Sequence, residues 1–318
     1  MISLLARKGK IVKWIATLLL TLCAAYALTV YSAGSLSVPL RETALIYQKL
    51  TGEKVLFEFS GSVEAVRKIV DLHRCPDLLF VADYSIVPKF MPYQWVVGFA
   101  TNRMVIAYTK DSVGEALKKD WIGALSKLKI GISNPNLDPA GYRSLMALAL
   151  ASFVDQRALD LISGLSGVSI KKSNGDVTIY VYPSIRSSGN FVIRDKSVDL
   201  ISLLKVGVID VAFEYESVAV QHGLKYFPLP DCCNLAKDNE NYKRVKVVLM
   251  ASTPKEKVVE AKAIVYGVTI PICAPHPDKA LEFFSFVLSS EGKKVFQSNG
   301  QRFLDQMIFV PPAQFKTK

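Results

Sequence analysis

The sequence predicts an α/β protein of two lobes, on three observations. Short apolar strands alternate with helices, as crossover-connected sheets require. The strand-to-helix turns near the start of the folded part are rich in Ser and Gly. The chain has 318 residues, well beyond the usual ~100–200 of one domain.

In chain order, Leu28–Tyr31 is a strand, Ser32-Ala33-Gly34-Ser35 a turn and Val38–Leu50 a helix. Val55–Phe59, Ser60-Gly61-Ser62 and a helix at Val63–Leu72 repeat that unit, and Leu78–Ala82 is a third strand. Trp95–Ala100 and Met104–Tyr108 are further strands. A second α/β stretch opens at Lys129–Ser133, with helices at Gly141–Phe153 and Ser197–Val206 and a strand at Val211–Phe213. Ala263–Ile270 is a late strand that leads into helices at Asp278–Leu288 and Glu291–Ser298. The expected division is a first lobe from residues 28–103, an inserted lobe 104–261, and a segment 262–318 that completes the first lobe. Two connections then form a hinge, and the ligand crevice lies at the carboxyl ends of the strands.

Half the residues are hydrophobic and 21% are charged, which excludes an intrinsically disordered chain. The net charge is +11, but its meaning depends on position. Arg7, Lys8, Lys10 and Lys13 precede an uncharged run, Trp14–Ala27, that ends in Ala25-Tyr26-Ala27. Residues 1–27 therefore read as a secretory signal, with an uncleaved membrane anchor as the alternative. Cys23 follows the bulky Leu22, which argues against a lipoprotein site. Either reading puts the body outside the cell membrane, at its outer face. The remaining charge is diffuse: between Lys237 and Lys262, basic residues alternate with Asp238, Glu240, Glu256 and Glu260, so nucleic-acid binding gains no support.

Cys75, Cys232, Cys233 and Cys273 remain in the exported part. They form disulfides suited to an oxidising compartment or stay as buried thiols; the adjacent pair has a poor metal spacing. No phosphate loop, dinucleotide fingerprint, zinc-protease helix or nucleophile elbow occurs. His73, His222 and His276 are isolated from one another. No enzyme is expected, and no cofactor.

Ser35 and Ser62 each stand where a strand gives way to a helix, where free N–H groups and the helix dipole favour an anion. Each is equally readable as an N-cap. The run Ser133-Asn134-Pro135-Asn136-Leu137-Asp138-Pro139-Ala140-Gly141-Tyr142-Arg143-Ser144 follows a strand and opens a helix. Asp138 there suits an N-cap with Pro139 at the first helical position, leaving the Ala140 and Gly141 amides toward the crevice. Phe213-Glu214-Tyr215 closes the Val211 strand, and Tyr215 offers a phenolic donor or strand-end packing. Asp138 and Glu214 repel a simple oxyanion unless the ligand's central atom accepts extra oxygen ligands, or a hard cation binds.

The segments Val30–Leu36, Gly61–Lys68, Ala82–Ser85, Ser133–Ser144 and Phe213–His222 resemble, in order, an archaeal family: the molybdate/tungstate-binding proteins of ABC importers, the ModA/WtpA type. The resemblance runs from Leu28 to about Phe303. It implies a type II periplasmic-binding-protein fold, each lobe a mixed, mainly parallel sheet flanked by helices, closing on MoO₄²⁻ or WO₄²⁻. By position it implies ligand contacts from Gly34, Ser35, Ser62, Ala140 and Tyr215, with Asp138 approaching the metal atom of the oxyanion directly. It also implies partners: a membrane permease and a separate ATPase.

One position departs from the family. Where a second metal-facing carboxylate is expected, Arg194-Asp195-Lys196-Ser197 places Ser197. Ser197 is the expected contact, and Glu214 on the adjacent strand is the alternative substitute. The competing functions are a sulfate, phosphate or ferric-ion receptor of the same fold, and an enzyme on that scaffold, for which only Asp138 with Glu214 offers an acid/base pair.

Overall fold

In the computed structural model, which describes residues 27–311, most apolar segments after Leu28 become strands, and the topology sorts them into three sheets. The expected export signal therefore lies, except for Ala27, outside the described residues. The first units are β1 (Leu28–Ala33), a 3₁₀ turn (Gly34–Leu36), α1 (Ser37–Thr51), β2 (Val55–Ser60), α2 (Ser62–Val70), β3 (Leu78–Val81), α3 (Ile86–Phe90) and β4 (Val96–Thr101). The chain then crosses to β5 (Met104–Tyr108), α4 (Asp111–Leu125), β6 (Ile130–Ser133), α5 (Pro139–Ala151) and α6 (Arg157–Ser163). Next come β7 (Val168–Ser173), β8 (Asp176–Val181), β9 (Phe191–Arg194), a 3₁₀ turn (Ser197–Asp199), α7 (Leu200–Lys205) and β10 (Val211–Tyr215). The last elements are α8 (Glu216–Gln221), β11 (Lys225–Pro228), β12 (Val245–Leu249), β13 (Lys257–Glu260), β14 (Val265–Thr269), α9 (Pro277–Val287), α10 (Ser290–Ser298) and β15 (Arg302–Val310).

A six-stranded sheet has the order β15-β4-β14-β3-β1-β2, and a five-stranded sheet the order β11-β5-β10-β6-β9. A four-stranded sheet, β13-β12-β8-β7, was not expected. The sheets are mixed rather than mainly parallel. In the first, β1 pairs in parallel with β2 and β3, while β14, β4 and β15 add antiparallel edges. The second is parallel only at β10-β6-β9. The parallel cores explain the turns: only there does every strand deliver the chain to a helix start at the same edge.

Residues 102–103 and 261–264 carry the chain between the six-stranded sheet and the rest. Both crossings are fastened to one loop. The Met104 amide donates to the Asn234 carbonyl (2.8 Å) and the Ile264 amide to the Leu235 carbonyl (2.9 Å). The Ala263 amide donates to Asp238 Oδ1 (2.9 Å). Away from the crossings, Cys75 and Cys273 form a disulfide, which joins the loop before β3 to the loop before α9. Cys232 and Cys233 are free thiols, and burial pushes the Cys233 thiol up.

All thirteen residues of α5 are buried. A helix apolar all round belongs in a core, and α5 packs against β6, β10 and β12. Its one charge, Arg143, is therefore forced to find partners inside the protein.

Candidate functional site

The helix starts of the two halves meet face to face. The Val63 and Glu64 amides at the start of α2 donate to the Leu137 carbonyl at 3.1 and 3.3 Å. Those are N-terminal helical N–H groups with no partner in their own helix. Gly61 makes the approach possible: a Cβ there would lie 2.2 Å from the Leu137 oxygen. A side chain at Gly141 would similarly meet the Ser133 oxygen at 2.2 Å, so the loop before α5 folds tightly over its first turn.

The candidate ligand residues Gly34, Ser35, Ser62, Asp138, Ala140, Ser197, Glu214 and Tyr215 are all buried. The Asp138 carboxylate accepts from the Ala140 amide (3.1 Å) and the Ser197 amide (2.8 Å). It thus joins the cap of α5 to the 3₁₀ turn after β9. The Ala140 and Gly141 amides, expected to face the crevice, are engaged by Asp138 itself, Gly141 through the Asp138 carbonyl at 3.0 Å. The N-cap geometry wins because it satisfies helix-start donors locally. Gly34 opposes the same turn, with a hypothetical Cβ 3.1 Å from Val198.

Four buried polar side-chain atoms here make no well-formed hydrogen bond among the described residues, Ser35 Oγ, Ser133 Oγ, Glu214 Oε1 and Arg143 Nη2, though each is loosely engaged: Ser35 by Tyr266, Ser133 by Asp138, Glu214 by Ser197 and Arg143 by Asp83. Buried polar atoms are ordinarily paired, so this cluster of loosely engaged hydroxyl, carboxyl and guanidinium atoms still has hydrogen-bonding capacity to offer. Burial pushes the Asp138 carboxyl up to about 6, against the pull of the Ser197 and Ala140 amides and the Ser133 hydroxyl. Burial, then the Asp138 charge, raises Glu214 well above the usual range, while the Tyr215 amide and the Ser197 side chain oppose it. Glu214 Oε2 accepts from the Tyr215 amide at 3.2 Å.

Sequence reasoning did not single out the cations that lie beside these residues. Arg143 Nη1 donates to the Tyr215 hydroxyl oxygen and to the Ala82 carbonyl, both at 2.7 Å. Its Nη2 lies 3.4 Å from Asp83 Oδ2, which also accepts from the Tyr142 hydroxyl (2.8 Å). Lys262, on the second crossing, sits 3.3 Å from Asp83 Oδ1 and over the Tyr84 ring. Burial alone would raise Asp83; Lys262 and Arg143, with the Ser85 amide and hydroxyl, outweigh it and hold the carboxyl well below the usual range. The signal was present: Arg143 is the lone charge in an otherwise apolar helix.

Residues 28–302 match the family described as bacterial extracellular solute-binding proteins. The chain belongs to that family. An uncharacterised solute-binding protein of Staphylothermus marinus is 41% identical over 88% of this chain and 84% of its own. The molybdate/tungstate-binding protein WtpA of Thermococcus kodakarensis is 39% identical over 91% of this chain and 84% of its own. The periplasmic molybdate-binding protein of Azotobacter vinelandii superposes with a TM-score of 0.58 at 16% identity, covering 88% of this chain and 99% of its own. At that identity the likeness shows the fold: a two-lobed periplasmic-binding-protein architecture of mixed sheets flanked by helices. An iron-bound HitA of Pseudomonas aeruginosa, covering 91% of this chain and 87% of its own, superposes with a TM-score of 0.51 at 16% identity. The fold by itself therefore does not choose the solute; the site must.

Proposed function

We propose that this chain captures tungstate or molybdate outside the cell membrane and hands it to the permease of an ABC importer driven by a separate ATPase. The observation that supports this is the buried Asp138 carboxylate where the helix starts of the two lobes meet; in this reading the buried Ser35, Ser62 and Tyr215 hydroxyls join it around the anion. The hydroxyls replace the hydration shell of an oxyanion, and Asp138 meets the metal atom, which expands its coordination to take another oxygen ligand. The 39% identity to molybdate/tungstate-binding relatives supports the same solute. Sulfate has no such expansion to offset repulsion by Asp138 and Glu214.

Ser197 stands where a second carboxylate would ligate the metal and presents its amide to Asp138 instead. Glu214 neighbours both Ser197 and Asp138. In this reading the metal keeps one carboxylate, Asp138; Ser197 and the backbone around Gly34 and Ala140 complete the wall. The protein acts as a binding receptor rather than a catalyst and takes no cofactor besides its cargo. The basic, apolar N-terminal segment exports it or holds it at the outer face of the membrane.

Calorimetric titration of the exported part with tungstate, molybdate, sulfate and phosphate tests the reading. Tight binding of the first two and weak binding of the others is expected; sulfate bound as tightly as tungstate overturns it. X-ray absorption at the tungsten edge then counts oxygen neighbours. Five or six support direct ligation by Asp138, and four contradict it. Unchanged tungstate affinity in Glu214→Gln removes Glu214 from the ligand set.

A further inference from the structure

The Ser62 hydroxyl of the first lobe and the Tyr215 hydroxyl of the second are joined by a continuous chain of hydrogen bonds. The Ala82 amide donates to Ser62 Oγ at 2.9 Å. The Ala82 carbonyl accepts from Arg143 Nη1, and the same Nη1 donates to the Tyr215 oxygen. Ala82 follows β3 in the first lobe, whereas Arg143 and Tyr215 belong to α5 and β10 in the second. Every donor in this relay is a group with no acceptor function: a backbone N–H or a guanidinium.

That chemistry fixes the polarity of both hydroxyls. A hydroxyl oxygen that accepts from an obligate donor must aim its own proton elsewhere. Neither Ser62 nor Tyr215 donates its hydroxyl proton to any described residue, and both side chains are fully buried. We infer that Arg143 is a positioning residue that, through Ala82 and Tyr215, commits the Ser62 and Tyr215 hydroxyls to act only as donors toward the bound anion. The arrangement also makes this commitment conditional on closure, because the Arg143–Ala82 bond exists only when the lobes are together. An open protein would leave Tyr215 oriented by Arg143 alone and Ser62 held by Ala82 alone; closing joins them into one donor pair.

The inference rests on the oxyanion reading above, and its test separates the two. Tungstate affinity is measured for the wild type, Arg143→Lys, Arg143→Gln, Tyr215→Phe and the Arg143→Gln/Tyr215→Phe double variant, with thermal unfolding of each as the folding control. Loss of a hydrogen bond to a charged ligand weakens binding by roughly 10–100-fold. Arg143→Gln and Tyr215→Phe should each fall in that range, because a Gln side chain also accepts and lets the phenol proton turn away. The double variant should bind no more weakly than the poorer single variant, since both remove one interaction. Arg143→Lys, another obligate donor, should retain most of the affinity. Additive losses, or Gln serving as well as Lys, overturn the inference.

A second measurement does not depend on Arg143 variants folding. Site-specific replacement of Tyr215 by a ring-fluorinated tyrosine makes the phenol a stronger donor and a weaker acceptor. Tighter tungstate binding is expected, and weaker binding overturns the donor assignment while leaving the oxyanion reading in place. A folded wild-type chain that binds neither tungstate nor molybdate overturns both.

Discussion

Asp83 and Asp138 are both buried at the meeting of the lobes, 1% and 7% exposed, yet they carry opposite electrostatics. Asp83 is surrounded by Arg143, Lys262 and the Tyr142 hydroxyl, so its negative charge is held firmly. Asp138 has two amides and a neighbouring Glu214, and burial raises its pKa. The difference teaches that burial alone does not set the charge of a carboxylate. Partners do, and they divide this interface into a region of firmly held charge around Asp83 and the region around Asp138 that the proposed function assigns to the solute.

The sharpest way to break the contrast is Asp83→Ala, which strands Arg143 and Lys262 in the interior. Removing one member of a buried ion pair costs about 3–5 kcal/mol, and denaturant unfolding should show a loss of that size. Next is pH. Asp138 binds its proton more tightly folded (about 6) than at its ordinary value of 3.8. Its contribution to stability is therefore full below about pH 4 and is lost as pH rises through 6, by on the order of 3 kcal/mol. Asp83 acts with the opposite sign: its contribution is present above pH 3.8 and is lost in more acid solution. Unfolding midpoints of wild type and Asp138→Asn between pH 4 and 7 should diverge, the variant being flatter and more stable at neutral pH. The same variant should lose tungstate binding. Parallel curves would sink the assignment of Asp138 as an uncompensated carboxylate.

A milder test is Ser35→Ala. Its hydroxyl makes no well-formed hydrogen bond and is only loosely engaged by Tyr266, so stability should stay within about 0.5 kcal/mol while tungstate affinity drops about tenfold. Equal losses in both would make Ser35 structural. The smallest effect belongs to the exposed cluster of Arg157 with Asp120 and Asp155. Arg157→Ala should leave both melting temperature and affinity unchanged within error, since water screens such pairs.

Much of this was legible in the sequence because local chemistry and fold agree. The repeated strand–Ser/Gly turn–helix unit located Ser35 and Ser62, and the run around Asp138 and Pro139 read correctly as a helix start. The four-stranded sheet was missed although Asn174-Gly175, at φ 52° and 83°, is a strong hairpin signal between alternating segments. Of the two strands it joins, β7 ends in Lys171-Lys172-Ser173 and β8 buries only alternate residues, so neither shows the long buried apolar run that marked the others. Arg143 was missed for a different reason. A sequence shows a lone charge on a buried helix, but which carbonyl and which phenol receive it depends on segments about 60 and 72 positions away. Long-range pairing of that kind leaves no periodicity to read.

The loop that receives both Met104 and Ile264 separates two quantities that natural selection must tune. In the proposed reading affinity resides in side chains between the lobes, whereas both crossings are fastened to a loop away from those side chains. Substitutions around Asn234 and Leu235 can therefore change how quickly cargo is released without altering how selectively it is chosen.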